Sequence, residues 1–236
     1  MRGLYSLKSW FSGVLNPLVL FAVQRKLSPN VFTLLGVAGG ALAGFGVASL
    51  NTWLVLVGVI VRLAGANMDG AVARAAKAAM ARAQTPVAKA GGATPVTERH
   101  EGIGFWVNEA GDRLADWAIF AGLVFAPIAI PLDVWVTVMV AVALPTAVSL
   151  WGVWRPGPAV GAALGPAVGA GEGARARRIN GGPFGKTERC FFAVVFVALC
   201  QFGGIDDLVA GYLLQVLIWA SMVTALLRWQ RIRAVR

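Results

Sequence analysis

Four carboxylates and two guanidiniums stand in stretches that are otherwise apolar: Arg62 and Asp69 in one, Glu109, Asp112, Arg113 and Asp116 in the next. An ionisable group at the centre of a membrane helix costs at least ~2.5–3.5 kcal/mol on insertion scales, so such a cluster needs partners, water or a metal. At about 100° per residue, Glu109, Asp112 and Asp116 fall within an arc of about 60°, and Arg62, Ala66, Asp69 and Ala73 share one face of their helix. Two chemistries suit that pattern. Hard divalent cations, Mg²⁺ or Mn²⁺, take oxygen ligands, and a pair of them a few Å apart handles phosphoryl groups. Alternatively, Arg62 and Arg113 neutralise the acids as ion pairs, with Glu109 and Arg113 in the favourable i, i+4 order.

The elements that must position these residues are membrane helices. Of 236 residues, 58% are hydrophobic and 14% charged, with a mean hydropathy of +0.70, a balance that excludes disorder, coiled coil and an ordinary soluble enzyme. The apolar residues come in runs close to the ~20 needed to cross a bilayer. Six spans are expected, over 31–50, 53–74, 105–130, 134–154, 190–202 with its flanks, and 208–227. The fold class is therefore an all-α integral membrane protein, six transmembrane helices preceded by an amphipathic interfacial helix. Residues 1–30 form that segment, with Trp10, Phe11, Leu15, Leu18 and Phe21 towards lipid and Lys8, Arg25 and Lys26 towards headgroups. No small-residue cleavage site closes it, so it is not read as a signal peptide. Residues 31–236 form the membrane domain, with flexible loops at 75–103 and 156–187, both rich in Ala, Gly, Pro and basic residues. Gly36, Gly40 and Gly44 offer a surface for close helix packing.

Charge sets the orientation. The short loops around Asn51, Asp133 and Asp206 contain no Lys or Arg, whereas the termini and both long loops hold every Lys and Arg outside the spans. The positive-inside rule places the latter side in the cytoplasm, as in a multi-pass protein of a bacterial cytoplasmic membrane. The formal charge of +10 suits anionic lipid or phosphate, and with so little chain outside the bilayer nucleic acid is not expected as a partner. Depth brings the acids together. Asp69 lies 16 residues after Trp53, about 24 Å inward, and Asp112 and Asp116 lie 18 and 14 residues before Ile130, about 27 and 21 Å inward. Cys190 and Cys200 are ten residues apart, about 15 Å along a helix and too far for a disulfide. His100, the single histidine, reads as a solvated loop residue.

Asp69-Gly70-Ala71-Val72-Ala73-Arg74, followed by Asn108-x3-Asp112-x3-Asp116, resembles the signature of the CDP-alcohol phosphotransferases, D-x2-D-G-x2-A-R, a spacer, then G-x3-D-x3-D. Ser28-Pro29-Asn30 leading to Thr33 and the six-span arrangement are also similar to that family. The resemblance implies cleavage of the pyrophosphate of a CDP-linked lipid such as CDP-diacylglycerol by an alcohol acceptor, releasing CMP. It implies Asp69 and Asp112 as metal ligands for Mg²⁺ or Mn²⁺, two ions in all, and Asp116 as both ligand and general base. Gly70 would let the nucleotide approach the helix, Ala73 would leave space, and Arg74 would bind phosphate. Asn108 and Arg113 join them as substrate-binding candidates. Lys186 and Arg189 are candidates for an acceptor or lipid phosphate, or are interfacial anchors. Membrane lipids surround the chain, and a homodimer is permitted.

Three features depart from that signature. Ala66 stands where its first acid belongs, and Asn67 is about 200° from Asp69 around the helix. Glu109, one turn before Asp112, is the expected replacement. Asn108 stands where the pattern has Gly, and 33 residues separate Arg74 from Asn108, much longer than the family's spacer. Two other readings share these residues. The Asn108 motif is similar to the first aspartate motif of intramembrane prenyltransferases, although the only late aspartates, Asp206 and Asp207, lie on the outer side. A non-catalytic CDP-lipid-binding scaffold or transporter is consistent with the lost acid at Ala66.

Overall fold

The computed structural model describes residues 7–84, 101–154 and 183–234. Within them are seven α-helices and one 3₁₀ turn: α1 (Leu7–Gln24), α2 (Pro29–Ala48), α3 (Thr52–Gln84), α4 (Glu101–Ala121) leading into the 3₁₀ turn Gly122–Phe125, α5 (Leu132–Trp154), α6 (Lys186–Phe202) and α7 (Asp207–Ala234). No strand occurs among the described residues. His100 and the central parts of both expected loops, 85–100 and 155–182, lie outside the described residues. The helices divide into two compact units that meet in sequence at Pro127 and Ile128.

In the first unit, α1 ends at a left-handed Lys26, where the Leu27 amide returns to the Ala22 carbonyl at 2.9 Å. The next helix starts at once. Ser28 caps α2 by accepting the Asn30 amide, and Pro29 fits the first turn because its missing N–H has no partner to lose there. Asn51 turns the chain into α3, its Oδ1 accepting the Trp53 and Leu54 amides at 3.1 and 3.2 Å. Buried Leu15, Val19 and Ala22 of α1 cluster with Phe32, Met68 and Val72, and Phe11 packs against the same cluster. Leu18 and Phe21 remain exposed, as expected of a lipid-seeking face. Leu15 and Phe11 therefore correct the sequence expectation: they turn inward, because the α2–α3 pair supplies an apolar floor for one side of α1.

α2 packs against both α3 and α4, and its glycines make this possible. A Cβ on Gly39 would lie 2.5 Å from the Arg62 amide nitrogen in α3, while one on Gly40 would lie 2.6 Å from the Ala115 Cα in α4. Gly44 is tighter still, with a Cβ 2.1 Å from the Ala118 carbonyl oxygen. The close-packing surface expected from the glycine spacing is thus real, but it serves two partners, since Gly36 faces α3 whereas Gly40 and Gly44 face α4. Gly44→Ala is expected to cost about 1–3 kcal/mol or more, as overpacking against rigid backbone does. A thermal melt in detergent should show the loss, and an unchanged midpoint would mean the helices are not held this closely.

Helix boundaries depart from the expected ones in two places. α3 continues to Gln84 rather than yielding to a loop at Ala75, because Ala is the strongest helix former and the segment is rich in it. α4 begins at Glu101 and stops at Ala121, short of the expected Ile130, since Gly122, Pro127 and Pro131 do not support a continued helix. α6 runs from Lys186 to Phe202, the expected stretch with its leading flank. Among the described residues, four helices are long and apolar enough to cross a membrane: α2, α3 over Thr52–Ala76, α5 over Leu132–Trp151, and α7. They expose large apolar side chains such as Leu34, Phe45, Trp53 and Trp219, a surface suited to lipid. α4 falls outside this group while carrying Asp112, Arg113 and Asp116, and α6, at 17 residues, is shorter than a typical crossing.

Candidate functional site

The first unit gathers polar groups from α2, α3 and α4. Arg62 is 1% exposed, and its guanidinium is spread over one turn of α4. Nη1 donates to Asp112 Oδ1 at 3.1 Å, while Nη2 donates to the Asp112 carbonyl at 2.9 Å and to Asp116 Oδ1 at 2.8 Å. The planar fork of five donors makes this spread possible, where an ammonium would act as a point charge. Asp112 and Asp116 stand one turn apart, a spacing at which like charges repel, and Arg62 holds them together.

Asp69, 4% exposed, has other partners. Its Oδ2 accepts from Thr33 Oγ1 of α2 at 3.3 Å, and its Oδ1 takes the Gly70 N–H. Thr33 was legible only as part of an N-terminal pattern, and nothing in its spacing marked it as a partner of an acid 36 residues on. Asn67 donates Nδ2 to the Leu63 carbonyl at 2.7 Å, so it is turned back along its own helix. Asn108 buries its Oδ1 with no hydrogen-bond partner among the described residues. The Glu109 side chain lies outside the described residues.

Gly70 differs from the packing glycines of α2 and α3. A Cβ there would meet only Arg74, with Nη1 at 3.1 Å and Cζ and Nη2 at about 4 Å. Ala73 and Arg74 are exposed. The face of α3 that carries Asp69 therefore leads into a small-residue surface that no other helix of this unit fills among the described residues. Hard oxygen donors of this kind suit Mg²⁺ or Mn²⁺. Among the described residues no three acids, histidines or cysteines are grouped closely enough to hold an ion, and Asp112 and Asp116 share a guanidinium instead.

The second unit holds the other two expected candidates. Lys186 is half-buried at the start of α6. Arg189 is 3% exposed and donates Nη1 to the Val142 carbonyl at 3.0 Å, which removes it from the role of a surface anchor. Arg228, not singled out in the sequence, is also buried; its Nη1 donates to the Pro145 carbonyl at 2.8 Å and to Ser149 Oγ at 3.0 Å. Both arginines thus reach the stretch of α5 around Pro145, where the missing proline N–H interrupts the helix's own bonding. Thr224 in α7 accepts the Phe184 amide at 3.1 Å and ties down the segment before α6.

No family model matches the sequence, and no curated protein matches it. Solved structures do. The phosphatidylinositol phosphate synthase of Mycobacterium tuberculosis with CDP-DAG bound aligns over 92% of both chains, with a TM-score of 0.54 and 21% identity. The same synthase in complex with manganese and citrate aligns over 92% of this chain and 88% of that one, with a TM-score of 0.55 and 20% identity. At that level of identity the likeness establishes a shared fold.

Proposed function

We propose that the chain is a membrane-bound CDP-alcohol phosphotransferase, which moves a phosphatidyl group from a CDP-linked lipid such as CDP-diacylglycerol to an alcohol and releases CMP. The observation that carries this reading is Gly70, a helical glycine that packing within its unit does not require, between a buried Asp69 and an exposed Arg74. A nucleotide pyrophosphate can approach the backbone there, with Arg74 as its phosphate partner and Ala73 leaving room. The synthase of the same fold, solved with CDP-DAG bound, supports a donor of that chemistry.

Asp116 acts as the general base. It takes the proton from the acceptor hydroxyl, whose oxygen attacks the lipid-side phosphorus. The bond from that phosphorus to the bridging oxygen breaks, and the oxygen leaves with CMP. Arg62 holds Asp116 in place, and Asn108 and Arg113 line the same helix as substrate contacts. The manganese of the related synthase structure supports a divalent cation as cofactor, Mg²⁺ or Mn²⁺, held by Asp69, Asp112 and Asp116 with Glu109 as the replacement for the acid absent at Ala66. Such an ion would neutralise pyrophosphate charge when bound. Lys186, half-buried at the start of α6, is a candidate partner for a lipid phosphate.

In this reading α2 to α7 make six crossings, with α4 completed by the turn after it and α1 lying along the inner surface. The termini and the site face the cytoplasm, where the basic residues accumulate. The test is CMP release by purified protein from CDP-diacylglycerol with Mn²⁺ or Mg²⁺ across a panel of alcohols, including inositol phosphate, glycerol phosphate and serine. Release that depends on one alcohol supports the reading. A second reading, a CDP-lipid-binding scaffold, is favoured by Ala66 together with the engagement of Asp112 and Asp116 by Arg62. Saturable CDP-diacylglycerol binding without CMP release under any of these conditions would decide for it.

A further inference from the structure

We infer that the Arg62 guanidinium takes the place of one divalent cation, so that this site works with at most one ion rather than two. The inference rests on the reading of Asp112 and Asp116 as cation ligands. Two carboxylates one turn apart on α4 need a positive group between them, and the structure supplies it from within the chain. Arg62 reaches Asp112 Oδ1 at 3.1 Å and Asp116 Oδ1 at 2.8 Å, and fixes itself by a third bond to the Asp112 carbonyl at 2.9 Å. At 1% exposure it is enclosed by protein, and withdrawing it to admit an ion would strand a charged group without the carboxylates that compensate its burial.

The residue one turn further along the same face of α3 points the same way. Ala66 provides no oxygen ligand, so a second ion near Asp69 has no donor on that turn of α3, and Asp112 and Asp116 opposite are already engaged by Arg62. Asn67 does not replace the donor, because its amide is bonded to the Leu63 carbonyl. The acid absent at Ala66 and the fixed cation at Arg62 each make the site one charge more positive, and together they offset the loss of one divalent ion. A guanidinium also differs from an ion in function: it stays in place when the surrounding divalent cation concentration falls.

Counting bound Mn²⁺ tests this without any need for turnover. Free Mn²⁺ would be measured by electron paramagnetic resonance during titration of the purified protein, with Arg62→Lys, Arg62→Ala and the double variant Arg62→Ala/Ala66→Asp alongside. The expected count is at most one Mn²⁺ per chain for wild type and Arg62→Lys, rising by one in Arg62→Ala and in the double variant. The thermal midpoint of Arg62→Ala should fall in chelator and recover with Mn²⁺ more than that of wild type does. Two ions bound to wild type would overturn the inference, as would a folded Arg62→Ala with an unchanged count. If Arg62→Ala does not fold, the wild-type count decides alone. Failure of the phosphotransferase reading shows separately, as absent CMP release.

Discussion

Asp116→Asn is expected to lower CMP release by on the order of 10²–10⁴-fold, the usual contribution of a positioned general base, while the protein still folds. The carboxamide keeps an oxygen at the place where Asp116 Oδ1 accepts from Arg62 at 2.8 Å, so that hydrogen bond survives in neutral form. Arg62 also keeps Asp112, through both its side chain and its carbonyl. What the variant loses is a group basic enough to take the hydroxyl proton, together with one charged ligand for the cation. Monodisperse elution and a retained melting transition would show that the fold is intact, so that lost turnover can be assigned to chemistry. Full activity in Asp116→Asn would remove Asp116 as the base.

Gly70→Ala separates binding from packing. A methyl group at this position meets only the far end of the flexible Arg74 side chain at 3.1 Å, and Ala is better than Gly in a helix by about 1 kcal/mol. The variant should therefore be as stable as wild type or slightly more so. If the pyrophosphate lies against this backbone, the added methyl displaces it, and a shift of about 1 Å at a reacting centre costs on the order of 10²-fold. The expected result is an equal or higher melting midpoint together with that loss in kcat/KM for the CDP-lipid. Unchanged kinetics would mean that the donor does not approach α3 at Gly70. The contrast with Gly44→Ala, expected to lose stability, makes the pair informative.

Much of the site was legible because charge is conspicuous in an apolar helix. Asp69, Asp112 and Asp116 were found by the cost of burying them, and Gly70, Ala73 and Arg74 by their place in a motif. The glycines of α2 showed that helices pack closely there, but a four-residue spacing does not say how many neighbours share the surface. What the sequence could not supply was the partner of each acid. Ion pairing by Arg62 was one of two chemistries the residue types allowed, and choosing between them requires the register of α3 against α4. The depth estimate for Asp112 and Asp116 counted inward from Ile130 at a helical rise. The helix ends at Ala121, and the 1.5 Å rise of an α-helix does not apply to the turn and proline-containing stretch beyond it. The estimate for Asp69 ran wholly within α3 and has no such fault.

The second unit was less legible for a different reason. Arg228 lies near the end of a long apolar helix, where an arginine ordinarily extends to the headgroups. Its burial depends on Pro145 and Ser149, roughly 80 residues earlier in sequence, a relation that periodicity does not encode. The same holds for Arg189 and Val142. The extension of α3 to Gln84 was missed because hydropathy ends near Ala76 while helix propensity does not.

An experimental structure of the protein with CDP-diacylglycerol bound tests the central claim most directly. The account predicts the cytidine pyrophosphate against Gly70 and Ala73, with Arg74 on a phosphate and Asp112 and Asp116 turned to the same group. A nucleotide seated on another surface, with Gly70 covered by protein or lipid and Asp69 remote from any phosphate, would contradict it.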